Sequence, residues 1–423
     1  MRSYAETVDY LFGLLPMYQR TGALPGKLDL SKTEALLEAL GNPHRRLSVV
    51  HVGGTNGKGS VSHAVASLCT AAGQRVGLYT SPHYVDYRER VRIDGQLVPE
   101  SFVVDFVAQH EALIRRTRAS FFEFTVAMAF AYFESEGVDL AVVEVGLGGR
   151  LDSTNVVTPL VSVITNVDLD HTEVLGETRA LIAREKAGII KPECPVVIGR
   201  FQEETWPVFR EVAAARRAPV FKSWHFPNAR LESLNWDVLG LRGPFARENA
   251  RTALATYEVL RKRYPLPPVR AEVLADMTAL SGYGGRFAER VASLGEGGGA
   301  VTVIADAGHN EAAWEVTVPA VVKRADGRGL RVVCGFVKGK DPVAFARLWP
   351  EGTMLYVGDV EVPRNMPSSE TVARLAEAGI AAESAASIAE AYDAALASAP
   401  EDGIVFVGGS SYVVGAYLSR VER

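Results

Sequence analysis

Cysteine is scarce in this chain: Cys69, Cys194 and Cys334 are the only three in 423 residues. They are far apart, odd in number and without metal-ligand spacing, so a disulfide framework and a zinc cluster are set aside and buried free thiols in a reducing compartment are expected. Long apolar runs are missing too. No stretch approaches the roughly 20 apolar residues that a membrane-spanning helix needs. The opening MRSYAETVDYLFGLL places Glu6 and Asp9 where a secretory signal would be apolar. A cytoplasmic protein with no membrane partner is the expectation. Nor does charge of one sign dominate: 45 Lys and Arg face 50 Asp and Glu, for a net charge of −5. The basic residues are spread along the chain, which gives no electrostatic footprint for nucleic acid. Internal repeats are absent, as is low complexity beyond one glycine cluster.

What is present is apolar material in short pieces. Hydrophobic residues make up 48% of the chain, and its length exceeds what one core ordinarily serves, so two domains are expected. Short apolar runs at 47–52, 75–79, 140–145, 161–166 and 195–198 alternate with helical patterns at 60–72, 123–136 and 178–189, the rhythm of parallel strands joined by crossover helices. A composition break follows in SLGEGGGAVTVIADAGHN, where Glu296 stands among glycines. The rhythm then restarts with strands at 301–305, 330–334, 354–357 and 403–407. This predicts domains at 1–293 and 301–423 with a glycine-rich linker at 294–300. In open sheets of this kind, ligands collect at the carboxyl ends of strands.

The run VVHVGGTNGKGSVSHAVASL, from Val49 to Leu68, combines a strand, a glycine-rich turn and a helix. Gly53, Gly54, Gly57 and Gly59 allow backbone N–H groups to approach an anion, the helix start near Ser60 adds its dipole, and Lys58 supplies a cation. The common phosphate-loop pattern puts Ser or Thr directly after the lysine to hold magnesium; here Gly59 follows and Ser60 comes one place late. Another residue must therefore hold the metal. Ser81 lies just past the second strand. Glu144 is a carboxylate inside an apolar run, which favours a metal ligand or a buried ion pair. Asp168, Asp170 and His171 follow the 161–166 strand. Lys186 in REKAGIIKP reads locally as a surface lysine or the partner of an acid. Asp306, His309 and Asn310 sit between a strand and a helix, where Asn310 also suits a helix N-cap. Arg286 in SGYGGRF can grip a phosphate or make a domain-docking ion pair. The expected fold class is α/β in two domains, an N-terminal P-loop parallel-sheet ATPase-like domain and a smaller C-terminal Rossmann-like domain.

Taken together, GGTNGKGS, TSPHYVDYRERVRIDG, FFEFT, VEVGLGGRLDSTN, NVDLDHTEVLG, REKAGIIKP, ADAGHN and VGGSSYVVG resemble, in order and spacing, the folylpolyglutamate synthase/dihydrofolate synthase family of Mur-type amide ligases. The resemblance covers nearly the whole chain. It implies that Asn56, Gly57, Lys58, Gly59 and Ser60 wrap the ATP phosphates and that Ser81, Glu144 and His171 hold magnesium. It also implies a carbamylated Lys186 that binds a second magnesium, with Lys58, Lys186 and His171 as the catalytic group, and potassium as a further ion. Asn249, Arg286, Asp306 and His309 match nucleotide-contacting positions, although Glu248 stands where the family usually has proline. D-A-G-H-N replaces the usual order of small residues at 306–310, and Gly339 replaces an acidic residue. Pterin contacts are implied at Phe121, Phe122 and Glu123, and at Leu151, Asp152 and Ser153.

The implied reaction activates a folate-type carboxylate with ATP as an acyl phosphate, which L-glutamate then attacks. Tetrahydrofolate is the expected acceptor, with dihydropteroate as a second. The partners would be these small molecules alone, bound by a monomer that closes over the nucleotide. Two other readings compete with this one. A nucleotide-switch protein is suggested by TNVD, which resembles a guanine-reading segment but lacks its lysine. A cell-wall Mur ligase would need an extra N-terminal domain, for which the residues before the first strand are too few.

Overall fold

The computed structural model describes residues 2–14, 29–227, 229–232, 234–236, 239–295 and 299–421. It divides into two units. The first comprises Met1–Pro82, Tyr87–Leu241 and Phe245–Tyr283, the second His83–Asp86, Arg242–Pro244 and Gly284–Arg423.

The first unit is built on strands β1 (Val49–Gly53), β2 (Val76–Tyr79), β3 (Val91–Ile93), β4 (Gln96–Leu97), β5 (Leu140–Glu144), β6 (Val161–Ile164), β7 (Val196–Ile198) and β8 (Val220–Lys222). They form one sheet in the order β4-β3-β2-β5-β1-β6-β7-β8. From β2 to β8 the pairing is parallel; β3 and β4 make an antiparallel edge. The inner strands are buried and mostly apolar because helices cover both faces, with His51, Glu144 and Ser162 as exceptions. On one face Val50 and Val52 pack with Val61, Val65 and Leu68 of the Lys58–Ala71 helix and with Leu254 and Tyr257 of the Ala246–Leu260 helix. On the other, Val49 and Val143 pack with Phe124, Met128 and Phe133 of the Phe121–Ser135 helix. The register places Val52 beside Glu144 and Gly53 beside Ile164. The phosphate loop, Glu144 and the segment after β6 therefore lie together at the carboxyl ends of three adjacent central strands.

The second unit carries β9 (Ala288–Ser293), β10 (Ala300–Asp306), β11 (Leu330–Cys334), β13 (Met354–Gly358), β15 (Ala382–Ala385) and β16 (Ile404–Gly408), ordered β15-β13-β11-β16-β10-β9. The short β12 (Phe336–Val337) and β14 (Asn365–Met366) pair with each other. Five strands are parallel, and β9 runs antiparallel to β10.

That edge strand corrects the expected boundary. Residues 288–293 belong to the second sheet, and the second unit's main segment begins at Gly284. The residues flanking the linker expected at 294–300 instead pair as a hairpin, with Leu294 N donating to Gly299 O and Ser293 opposite Ala300. Residues 296–298, Glu296 among them, lie outside the described residues. The misreading has a physical source, since a tight turn and a linker both favour glycine. Tyr84 is a further part of the second unit: its hydroxyl donates to Gly285 O at 3.3 Å and it packs on that unit's core. All three cysteines are buried and free. No described helix is long and apolar enough to cross a membrane.

Candidate functional site

The phosphate loop runs from Gly53 at the end of β1 to the helix that begins at Lys58. Gly57 caps that helix at φ 81°, a conformation glycine adopts without strain. A Cβ at Gly57 would collide with Asn249 Oδ1, and one at Gly54 with Thr165 Oγ1. Neighbouring side chains fix the loop's shape. Asn166 accepts from Asn56 N at 2.9 Å through Oδ1, and Thr165 Oγ1 donates to Asn56 O at 2.6 Å. Thr55 Oγ1 accepts from Asp168 N at 3.0 Å. Asp168 in turn takes Arg179 Nε at 3.3 Å and lies 3.9 Å from Arg200. From sequence, Thr165 and Asn166 stand out only within TNVD, as part of a resemblance to a guanine-reading segment, and not as residues that shape this loop.

Two lysines meet at this loop. Lys58 Nζ donates to Gly54 O at 3.2 Å and Thr55 O at 3.0 Å. Lys186 Nζ donates to the same Gly54 O at 2.9 Å. Lys186 is 3% exposed, which corrects its local reading as a surface lysine. Its helix, Arg179–Ala187, turns that side chain inward beside Ile182 and Ala183, and Thr178 caps the start by accepting from Leu181 N. Burial, with the Lys58 cation added, pushes the Lys186 ammonium down to about 7, while Asp170 and Asp152 oppose the shift.

Glu144 is 3% exposed and accepts from Ser81 N at 3.0 Å. A Cβ at Gly59 would stand 3.7 Å from both Glu144 oxygens, so the carboxylate lies against the first turn of the phosphate-loop helix. Ser60, expected as a helix-start phosphate contact, directs its hydroxyl to Tyr283 OH at 2.9 Å. His171 is half-buried and caps the short Thr172–Leu175 helix at φ 49°, with its N–H on Asp170 Oδ1 at 3.1 Å.

Of the expected pterin residues, the structure groups some and separates others. Phe122 is half-buried and lies over Gly146, where a Cβ would collide with its ring and stand 3.2 Å from Asp152 Oδ2. Asp152 is buried and accepts from Leu147 N at 2.8 Å and Thr154 N at 2.9 Å. Burial pushes its pKa up, against these hydrogen bonds. Ser153 is buried and Leu151 half-buried beside it. Phe121 is different: its ring is 1% exposed, stacked on Phe12 at 5.1 Å and edge-on to Tyr87 at 5.6 Å. That ring is core and offers no face for stacking. Glu123 forms a capping box with Ser120, so its carboxylate serves the helix start.

In the second unit, Asp306 ends β10 and accepts from Phe287 N and Gly308 N, both at 2.9 Å. It ties the turn after Arg286 to the loop that carries His309. Both Arg286 and His309 are half-buried. Asn310 caps the Glu311–Ala325 helix by accepting from Ala313 N at 3.0 Å. Gly339 stands at φ 92° before Asp341, which caps the Pro342–Ala346 helix. Elsewhere in the first unit a cavity of about 740 Å³, lined by Glu34, Glu38, His44 and Arg45, contains none of the expected site residues.

Residues 52–222 match the Mur ligase middle domain. Folylpolyglutamate synthase of Lacticaseibacillus casei is 33% identical over 98% of this chain and 97% of its own length. The probable bifunctional folylpolyglutamate synthase/dihydropteroate synthase of Haloferax volcanii is 34% identical over 97% of this chain, which spans 50% of that protein. Among solved structures, the bifunctional folylpolyglutamate synthase/dihydrofolate synthase of Yersinia pestis, complexed with AMPPNP and a Mn ion, matches at a TM-score of 0.82. It is 28% identical, with 100% of this chain and 99% of that one covered. Phosphate loop, buried carboxylate, two-unit α/β fold and these similarities agree: the chain belongs to the folylpolyglutamate synthase/dihydrofolate synthase family of ATP-dependent ligases in the Mur ligase superfamily.

Proposed function

We propose that this protein joins L-glutamate to a folate-type carboxylate at the expense of ATP, with tetrahydrofolate as acceptor and dihydropteroate as a second. The observation that carries the reading is the convergence, at the carboxyl ends of the central strands, of the phosphate loop, the buried Glu144 carboxylate and the buried Lys186 amine. The relatives' names and the AMPPNP and Mn complex support it.

The loop N–H groups from Asn56 to Ser60 would bind the ATP phosphates, and Lys58 would exchange its loop carbonyls for phosphate oxygens. Hard divalent cations take oxygen ligands. The Glu144 carboxylate with Ser81 beside it fits that preference, and His171 completes the proposed set. Magnesium held there would neutralise charge on the phosphates. Lys186, pushed down to about 7, offers a neutral amine near physiological pH. That is the form that adds carbon dioxide, and the resulting carbamate is the proposed ligand for a second ion. Asn249 lies against Gly57 and would touch the nucleotide. In the second unit, Arg286, Asp306 and His309 are assigned nucleotide roles, with Asp306 acting through the turns it fixes.

At the acceptor end, Phe122 offers a partly open ring and Asp152 a fixed hydrogen-bond acceptor. Leu151 and Ser153 flank them. An acceptor carboxylate oxygen attacks the γ-phosphorus and ADP leaves. The glutamate amine then attacks the acyl carbon, the carbon–oxygen bond to phosphate breaks, and the amine loses a proton as the amide forms. Preorganised N–H groups and the Lys58 cation stabilise the charge that develops on the transferring phosphoryl group.

The test is product analysis by mass after incubation with ATP, magnesium and L-glutamate, with dihydropteroate and tetrahydrofolate supplied separately. A one-glutamate mass gain on tetrahydrofolate is expected. Product with dihydropteroate alone would remove the polyglutamate half of the reading, and product with neither acceptor would remove all of it.

A further inference from the structure

His51 lies in the middle of β1, between Val50 and Val52, and is 0% exposed. Valine or isoleucine would fill such a place without cost. An imidazole there is penalised, and burial pushes its pKa down to about 3. Among the described residues its Nδ1 has no hydrogen-bond partner. Nε2 lies 2.8 Å from Thr154 Oγ1, and Thr154 Oγ1 lies 2.5 Å from Asp152 Oδ1.

The proton count fixes the direction of this chain. A hydroxyl has one proton, and a carboxylate only accepts. Thr154 donates to Asp152, so its lone pairs face His51 and the imidazole must carry its proton on Nε2. The bare nitrogen is then Nδ1, the one without a partner. Donation from Thr154 Oγ1 and Thr154 N occupies Asp152 Oδ1. Oδ2 accepts from Leu147 N and lies on the Gly146 side, where Phe122 also lies.

We propose that His51 and Thr154 are positioning residues for the acceptor: the imidazole holds the Thr154 hydroxyl as a donor, and that hydroxyl holds the Asp152 carboxylate with Oδ2 toward the Phe122 side. The proposal rests on the reading of Asp152 as an acceptor contact. It explains why a buried imidazole with an orphaned nitrogen stands in a strand whose other residues are three valines and the closing Gly53. His51 and Thr154 act through Asp152 and touch no substrate themselves.

The experiment measures KM for the acceptor and for ATP, together with thermal melting, in the full chain carrying His51→Phe, His51→Gln, Thr154→Val, Thr154→Ser or Asp152→Ala. Loss of one orienting hydrogen bond predicts an acceptor KM raised about tenfold in His51→Phe and Thr154→Val, with ATP KM unchanged. His51→Gln and Thr154→Ser keep a donor and should return toward wild type. The double variant His51→Phe/Thr154→Val should be no worse than Thr154→Val alone. If Asp152→Ala raises acceptor KM while Thr154→Val does not, the positioning role falls and the acceptor contact stands. If Asp152→Ala leaves acceptor KM unmoved, both fall. A parallel rise of ATP KM in His51→Phe and Thr154→Val would mark a merely structural role and overturn the proposal. Should His51→Phe not fold, the Thr154→Val and Thr154→Ser pair decides the matter.

Discussion

Lys186 shows how a residue's environment reverses its local reading. Most helical lysines are solvated, and nothing in REKAGIIKP itself says otherwise. Only the fold buries this amine against Gly54 O and beside Lys58. The consequence is a measurable linkage. With its ordinary value at 10.5 and its folded value pushed down to about 7, the unfolded chain holds more protons between those limits. Stability should therefore rise with pH across that window. Lys186→Met should flatten the slope, raise stability at neutral pH by roughly 4 kcal/mol, and lower ligase activity. Denaturant unfolding at a series of pH values checks this, and an unchanged slope would show that the amine is not buried as described. Glu144 was easier to find, because a carboxylate inside an apolar run already raises the question of its partner. Phe121 and Phe122 were inseparable in sequence. Their neighbours, Phe12 and Tyr87 for one and Gly146 for the other, come from distant parts of the chain.

At the scale of elements, the inner parallel strands and the helices between them were legible, because runs buried on both faces read as continuous apolar stretches. Edge strands carry weaker signals. β3 and β4 are short, and β9 presents exposed or half-buried residues throughout, so VRIDGQL and AERVAS passed as connections. The phosphate loop was legible as a motif. Its tie to the Ala246–Leu260 helix was not, because Asn249 approaches Gly57 only in the folded chain. Gly57→Ala tests this contact. A left-handed cap costs a non-glycine residue about 1–2 kcal/mol, and the new Cβ would displace Asn249. ATP KM should rise about tenfold or more, accompanied by a lower melting temperature. Wild-type ATP binding in calorimetry would show that the cap and Asn249 do not shape the nucleotide site.

For the whole molecule, the sequence motifs pointed to the family that the similarities to known proteins establish, and the two-unit α/β organisation is as expected. The boundary was misplaced because glycine enrichment marks any sharp change of chain direction, here a hairpin inside the second sheet. The second unit's claim on residues 83–86 and 242–244 left no compositional trace. The proposed ligase forms the glutamyl amide through an acyl phosphate. In that route one acceptor carboxylate oxygen leaves with phosphate. The direct measurement supplies an acceptor labelled with oxygen-18 in its carboxylate, together with ATP, magnesium and L-glutamate, and weighs the inorganic phosphate released. One labelled oxygen in phosphate for each glutamate joined is the result expected. Unlabelled phosphate accompanying labelled amide product would contradict the account.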